Sequence, residues 1–220
     1  MRDTRILILV EVALAVALAT VLSFLQIRLP INLAGGSIQL AMLPLAVVAL
    51  RRGALAGATA GALFGLIDLL LEPFVLFPLQ VILDYPGPYL LFGLGVGLFS
   101  GVYRRAAEAA DRRVTGGFIA RSTVITIAAV VVGGLLRLVS HVLSGVFFFA
   151  EYAADFFAEH PALVQAGPLD AGVNAWIYSI IYNLLYIVPS VAGVLACALV
   201  VMPVLAKAVP VRHAKAASTA

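Results

Sequence analysis

Long apolar runs fill this sequence and restrict its fold more than any other feature does. A transmembrane helix needs about 20 apolar residues to cross a hydrocarbon core that is about 30 Å thick. The last two runs are longer than a simple span, so they are expected to tilt, kink or protrude. The sequence therefore predicts an all-α membrane protein with six transmembrane helices, at residues 6–27, 37–50, 54–71, 77–102, 118–149 and 173–206.

The composition indicates a single membrane domain. Of the 220 residues, 63% are hydrophobic and only 11% are charged, a balance that is foreign to soluble domains. No polar stretch is long enough to fold a second core, so residues 1–220 are expected to form one domain. Cys197 is the one cysteine, which excludes an internal disulfide and a CxxC redox motif. We predict no metal site and no cofactor, and without a P-loop the chain is not expected to hydrolyse ATP.

The basic residues predict the orientation of the helices. All fourteen Lys and Arg residues except Arg28 and Arg137 fall on one side of a six-helix arrangement. The loop at 151–172 is acidic, has no Lys or Arg, and falls on the other side. By the positive-inside rule the basic side is cytoplasmic, so both termini are expected in the cytoplasm. The net charge of +3 could suggest a nucleic-acid partner, but the placement of the basic residues on one side of the membrane explains it better.

Small residues recur at four-residue spacing in three of the predicted helices. Such stripes let a neighbouring helix approach closely, and for the two glycine stripes we expect packing inside the bundle. Ala13 and Ala17 form a third stripe, which would serve either internal packing or the docking of another membrane subunit. The spacing alone does not separate these two interpretations. The glycine stripes are Gly57, Gly61 and Gly65, and Gly93, Gly97 and Gly101.

Polar and aromatic residues gather in the outer halves of three predicted helices. Ionisable groups inside a membrane span are candidates for function, because burying a charge without a partner is costly. Pro86 and Pro88 remove backbone donors and are expected to disturb the fourth helix beside Asp84. The group comprises Asp84 and Tyr85, then Arg137 and His141, and finally Tyr178, Tyr182, Asn183 and Tyr186.

These side chains would suit a flat, partly cationic heterocycle, since aromatic faces attract cations and a carboxylate supplies the counter-charge. Structural interpretations also remain open: His141 bonded to a backbone carbonyl, Asp84 paired with Arg137, and tyrosines that belong to an interfacial belt. A further alternative is an intramembrane enzyme that uses His141 with Asp84, Asp68 or Glu72 as acid and base. That alternative lacks an accompanying nucleophile or an HExxH motif.

Five segments are similar to a known family. They are GGSIQLAMLPL (35–45), ALRRG (49–53), PLQVILDYP (78–86), RLVSHVLSGVFFFAEYA (137–153) and WIYSIIYNLLYIVP (176–189). They resemble the thiamine-specific S component, the ThiT family, of energy-coupling factor (ECF) vitamin transporters. The resemblance implies an S-component fold in the plasma membrane of a prokaryote, where the protein would capture thiamine from outside. It also implies a separate membrane coupling subunit and two cytoplasmic ATPase subunits as partners, and no enzymatic activity.

The same resemblance implies a set of binding residues. Asp84 takes the place of an acid, often glutamate, that would face the cationic thiazolium ring. In some members a tryptophan lies before the second helix, where this chain has Ala34-Gly35-Gly36. A related pyrimidine or thiazole precursor is therefore an alternative ligand. The remaining implied ligand-binding residues are Tyr85, His141, Phe149, Tyr178, Asn183, Phe64 and Phe74, and Ala13 and Ala17 match the AxxxA motif that docks the coupling subunit.

Overall fold

Helices account for nearly all of the chain that the structure describes. The structure is a computed structural model, and it describes residues 2–28, 36–110, 115–159 and 171–208. Within these ranges the only strand-like pairing is an isolated bridge between Ile27 and Ile38. The helices are α1 (Arg2–Ser23), α2 (Met42–Arg52), α3 (Ala54–Leu71), α4 (Pro78–Asp84), α5 (Pro86–Gly97), α6 (Ser100–Ala109), α7 (Gly116–Phe148), α8 (Ala153–Glu159) and α9 (Ala171–Ala208), with a 3₁₀ turn at Ala150–Tyr152.

Five segments of the described chain are long and apolar enough to cross a membrane, judged by length and composition. Many of their apolar side chains are exposed on the outside of the bundle, as expected for a surface that faces lipid. The protein is therefore a multi-pass membrane protein. The five segments are Arg5–Ser23, Ala54–Leu71, Pro78–Ala109, Gly116–Phe148 and Asn174–Ala206.

The second predicted span contains a helix of only 11 residues, α2. Residues 36–41 before it are not helical, because Gly36 has a positive φ of 84° and Ile38 pairs with Ile27 through two backbone hydrogen bonds of 2.9 Å. At the other end, Gly53 separates α2 from α3 with a φ of 105°, a conformation that favours glycine. The short helix is buried along most of its length, against α1, α3 and α5.

The fourth predicted span is interrupted beside Asp84, as the prolines predicted. Helix α4 ends at Asp84, and Tyr85 leaves helical geometry with φ −113° and ψ −83°. Pro86 has no N–H to donate to the carbonyl of Ile82, so the helical ladder cannot continue through it. The neighbouring carbonyl of Leu83 instead accepts a hydrogen bond of 2.8 Å from Ser140 Oγ on α7. The break is thereby fixed to a second helix.

Helices α3 and α5 pack closely together along the predicted glycine stripes. Gly57 and Gly93 face each other, and a Cβ on either would overlap the carbonyl of the other. A Cβ on Gly61 would overlap the carbonyl of Tyr89 in the same way. The prediction of internal packing is therefore confirmed for these glycines. It is wrong for Gly101, where a Cβ would meet no atom within 4 Å.

Helix α1 is held to the bundle by a charged contact. Arg52 on α2 donates to both carboxylate oxygens of Glu11, over 2.6 Å from Nε and 2.5 Å from Nη2. The other anchors are apolar side chains of α1 that turn inward, among them Val12, Ala15, Val16 and Ala19. This rotation leaves Ala13 and Ala17 exposed on the outer face of α1. Neither alanine therefore packs inside the bundle.

The contact between α3 and α5 gives a first prediction. We expect Gly61→Ala to lower stability by about 1–3 kcal/mol, because the new methyl group would force the two backbones apart. Thermal unfolding of detergent-purified protein measures this loss. Gly101→Ala is the matched control, since that Cβ meets open space and is expected to cause no loss. Equal melting temperatures for the two variants would contradict the prediction.

Candidate functional site

A cavity of about 700 Å³ lies between α3, α4, α5, α7 and α9. It is lined by side chains from all five helices and by the segments next to the bridge at Ile27 and Ile38. Seven of the eight ligand-binding residues predicted from the sequence line this one space. They are Phe74, Asp84, Tyr85, His141, Phe149, Tyr178 and Asn183.

Phe64, the eighth predicted residue, is not part of the cavity lining. It is fully buried in the main hydrophobic core of the described chain. Its ring packs edge-to-face on Tyr89, with ring centroids 4.6 Å apart. Tyr89 itself lines the cavity, so Phe64 supports a wall residue and does not face the interior.

The Asp84 carboxylate contacts two side chains of the site. Gln80, one turn earlier on α4, donates from Nε2 to Oδ2 over 2.6 Å. On the other side, His141 Nδ1 lies 3.5 Å from Oδ1. Arg137 is not the ion-pair partner of Asp84, because no carboxylate lies within 4.0 Å of its guanidinium in the described ranges. The alternative of an Asp84 to Arg137 pair is therefore wrong for this structure.

Arg137 is almost completely buried and contacts groups that carry no negative charge. Its Nη1 lies 3.0 Å from Met42 Sδ, and its Nη2 lies 3.5 Å from Tyr89 Oη. The guanidinium carbon lies 4.6 Å from the centroid of the Tyr89 ring, in a cation–π arrangement. Its Nε donates over 3.4 Å to Nε2 of His141, one turn further along α7.

Tyr89 connects Arg137 to the α3 side of the cavity. Its hydroxyl accepts a hydrogen bond of 2.7 Å from Gln39 Nε2 and donates over 3.2 Å to Asp68 Oδ2. Gln39 precedes α2, so this hydroxyl links three separate parts of the fold. Buried polar groups need such partners, because an unpaired one is costly.

Residues 72–77 connect α3 to α4 and contribute to the wall of the cavity. Tyr85 Oη donates to the carbonyl of Glu72 over 2.8 Å and accepts from the N–H of Phe74 over 2.7 Å. Gln80 adds two contacts of 3.1 Å, with the carbonyl of Phe74 and the N–H of Leu76. These bonds place Phe74 against Phe149, with ring centroids 6.0 Å apart and planes 22° from parallel.

The α9 side of the cavity combines an amide with tyrosine rings. Asn183 Nδ2 donates to the carbonyl of Ser179 over 2.8 Å and to that of His141 over 3.4 Å. Its Oδ1 accepts a short hydrogen bond from Tyr186, whose ring also packs edge-on against His141. The backbone carbonyl of His141 is thus a hydrogen-bond acceptor, while its imidazole remains directed at Arg137 and Asp84.

An exposed ion pair lies at the edge of the cavity. Arg28 Nη2 pairs with Glu72 Oε1, and Gln26 donates to the same oxygen over 2.6 Å. Exposed pairs of this kind contribute about 0–1 kcal/mol to stability. No cluster of three or more metal-ligating side chains occurs in the described part of the chain.

Comparison with known proteins places the chain in a family. The profile of the thiamine transporter protein family (Thia_YuaJ) matches residues 9–159. The thiamine transporter ThiT of Bacillus subtilis (strain 168) is 31% identical over 194 residues, which cover 87% of this chain and 88% of that protein. This chain belongs to the thiamine transporter family. The resemblance found in the sequence is thereby confirmed.

Two further members show the same relationship. The thiamine transporter ThiT of Lacticaseibacillus paracasei is 29% identical over 185 residues, which cover 81% of this chain and 78% of that protein. A solved structure of ThiT from Listeria monocytogenes has 27% identity and a TM-score of 0.68, and covers 94% of this chain and 96% of that one. The structural similarity between this chain and the Listeria protein thus extends over nearly the whole fold.

Several residues of the cavity wall were not predicted as binding residues, and three of them had some signal in the sequence. Gln80 lies four residues before Asp84, the spacing that places two side chains on one helix face. Asp68 and Glu72 are also four apart, and were considered only as acids of an enzyme. Tyr89 lies beside Pro88 and had no distinguishing pattern. The wall further includes Arg137 and Tyr186, which the sequence grouped with the site, and Gln39, which it did not.

The role of Gln80 gives a second prediction. We expect Gln80→Leu to lower stability by about 1–3 kcal/mol, because it removes a buried amide that makes three part-buried hydrogen bonds and leaves its partners unpaired. Gln26→Leu is the matched control: Gln26 also donates to a carboxylate over 2.6 Å, but that contact is exposed. Thermal unfolding in detergent compares the two variants. A loss of stability in Gln26→Leu as large as that in Gln80→Leu would contradict the prediction that the buried amide contributes more than the exposed one.

Proposed function

We propose that this protein is the substrate-binding membrane subunit that captures thiamine from outside a bacterial cell for uptake. Membership of the thiamine transporter family supports the ligand, and the half-buried carboxylate of Asp84 in an aromatic cavity is the observation that carries the proposal. Thiamine joins an aminopyrimidine ring to a permanently cationic thiazolium ring. A cavity of about 700 Å³ lies in the usual range for small-molecule sites, about 300–1,000 Å³.

Each part of this ligand has a suitable counterpart in the cavity. We assign Asp84 to the charge of the thiazolium ring, since a carboxylate in a partly dry site attracts a cation more strongly than in water. Phe74 and Phe149 would supply aromatic faces for stacking. Tyr178 and Asn183 are assigned to the aminopyrimidine, because an amide both donates and accepts hydrogen bonds. Tyr85 would hold the connection at 72–77 in place above the ligand.

We further propose six membrane spans with both termini in the cytoplasm of the cell. The one span in addition to the five long segments would be the short α2, second in chain order, together with the non-helical residues 36–41 before it. The distribution of basic residues supports this orientation through the positive-inside rule. The cavity then lies toward the outside, as capture from outside requires. The plasma membrane is the corresponding location.

The partners we propose are an ECF membrane coupling subunit and two cytoplasmic ATPase subunits. Ala13 and Ala17 are exposed at four-residue spacing on α1, which suits close contact with another membrane helix. The chain would thus supply binding, and its partners would supply the energy for transport. It would carry out no covalent chemistry.

Direct binding tests the ligand and the site together. We expect purified protein to bind thiamine, and Asp84→Asn and His141→Ala each to weaken binding by more than about tenfold, roughly 1.4 kcal/mol. Asp155→Asn is the matched control, because Asp155 is an exposed acid of α8 outside the cavity and is expected to leave affinity unchanged. Isothermal titration in detergent measures all four proteins.

The same titration separates the alternatives. Tighter binding of a pyrimidine or thiazole fragment than of thiamine would indicate a precursor as the substrate. Recovery of a converted product after incubation would favour the enzyme that uses His141 and Asp84. Unchanged affinity in both site variants would remove the proposed site.

The docking face gives a fourth prediction. We expect Ala13→Leu and Ala17→Leu to reduce co-purification with the coupling subunit, because added bulk prevents close helix contact, while thiamine affinity stays the same. Ala192→Leu is the matched control, since it adds the same bulk at an exposed position on α9. Co-purification and titration of the same preparations provide both readouts. Full complex formation by both alanine variants would contradict a docking role for this face.

A further inference from the structure

The buried guanidinium of Arg137 makes an unusual contact with the imidazole of His141. Arg137 Nε lies 3.4 Å from His141 Nε2, and both side chains project from successive turns of α7. A guanidinium has five N–H donors, no acceptor, and keeps its proton at every ordinary pH. The Nε of Arg137 can therefore only donate, so the Nε2 of His141 must accept.

This requirement defines the protonation of His141. An imidazole nitrogen that accepts a hydrogen bond carries no proton, so the ring is neutral and its proton resides on Nδ1. Nδ1 is the nitrogen that lies 3.5 Å from Asp84 Oδ1, where an N–H can donate. A protonated ring would instead direct a second N–H at the Nε–H of Arg137.

The charge of Asp84 follows from the same contacts. With a neutral His141, the two side chains that approach the carboxylate are an imidazole N–H and the amide of Gln80, and neither carries a positive charge. The carboxylate thus keeps its full negative charge for a ligand. A protonated His141 would compensate that charge and add a cation beside a cationic ligand.

We propose that Arg137 is a positioning residue that keeps His141 neutral, with its proton on Nδ1, so that Asp84 remains an uncompensated anion for a cationic ligand. The choice of thiamine as that ligand rests on the proposed function. Arg137 itself need not touch the ligand. The permanent charge of Arg137 thereby sets the protonation of His141. The protonation of His141 in turn sets the charge that the cavity presents to a ligand.

The surroundings of His141 are compatible with this role. Among the residues that the structure describes, three ionisable side chains face the imidazole: Arg137 from its own helix, Asp84 from α4 and Tyr186 from α9. Tyr186 presents its ring, with centroids 5.9 Å apart and planes 79° from parallel, and its hydroxyl donates to Asn183. Arg137 and Asp84 are therefore the groups that decide where the imidazole proton lies.

Nitrogen NMR of the ligand-free protein tests the protonation directly. The chain has three histidines, so ¹⁵N-histidine labelling gives a small set of signals, and His141→Gln identifies those of His141. We expect the wild-type protein at pH 7 to show a protonated Nδ1 and an unprotonated Nε2. A proton on Nε2, as the other tautomer or as imidazolium, would overturn the proposal. This result does not depend on thiamine binding, so it is separate from a failure of the proposed function.

Thiamine titration at two pH values tests the consequence for binding. Without Arg137, its cation no longer opposes protonation of the imidazole beside Asp84, so we expect the ring to gain a proton more readily as the pH falls. Arg137→Met should therefore lose more than about threefold in affinity between pH 8 and pH 5.5, while the wild-type protein loses less than about threefold. Met is similar in length and removes both the charge and the donor.

Arg28→Met is the matched control for the loss of a positive charge. Arg28 also lines the cavity, but it pairs with Glu72. Its variant should keep the wild-type ratio of affinities between the two pH values. An equal pH dependence in Arg28→Met and Arg137→Met would overturn the positioning role, and so would a pH-independent affinity in Arg137→Met. If Arg137→Met does not fold, the NMR result on the wild-type protein decides the proposal.

Discussion

The interruption between α4 and α5 is the constraint on which the cavity depends. Pro86 cannot donate a backbone hydrogen bond, so the helix ends at Asp84 and a new one begins directly after Tyr85. Inside a bilayer every freed carbonyl needs a partner, and Ser140 provides one for Leu83 from α7. The same contact joins the interrupted helix to the helix that carries His141. A break in one span thereby places the acid and the histidine next to each other in the wall of one cavity, with Asp84 Oδ1 3.5 Å from His141 Nδ1.

Close packing on the far side of the break makes this arrangement rigid. Glycines on α3 allow the backbone of α5 to approach until carbonyl groups of one helix contact the other. Tyr89 lies in this contact region, and its hydroxyl joins Gln39 and Asp68. Tyr89, a residue of the cavity wall, therefore lies in the same helix contact as the packing glycines. Stability and site geometry are consequently difficult to change separately.

The sequence predicted the chemistry of the site better than it predicted the shape of the fold. Asp84, His141 and Asn183 were recognisable because polar groups inside apolar spans are costly and rare. Phe64 was misplaced, because an aromatic residue in an apolar helix gives no sign of which neighbour it will face. The predicted second span was already short, but the start of α2 at Met42 was not predicted, since it depends on the positive φ of Gly36 and on the backbone pairing of Ile38. Such features come from tertiary contacts that no local pattern encodes.

The three acids of the cavity wall differ in what already compensates their charge. Glu72 pairs with Arg28 at the exposed edge, and water screens that pair further. Asp68 binds the hydroxyl of Tyr89, and Asp84 has an amide on one oxygen and an imidazole on the other. The Tyr89 hydroxyl and the imidazole both contact Arg137 as well, so this cation is one group away from either acid. A cation that enters the cavity gains most where no cation is already in contact, and while His141 stays neutral Asp84 is such a place.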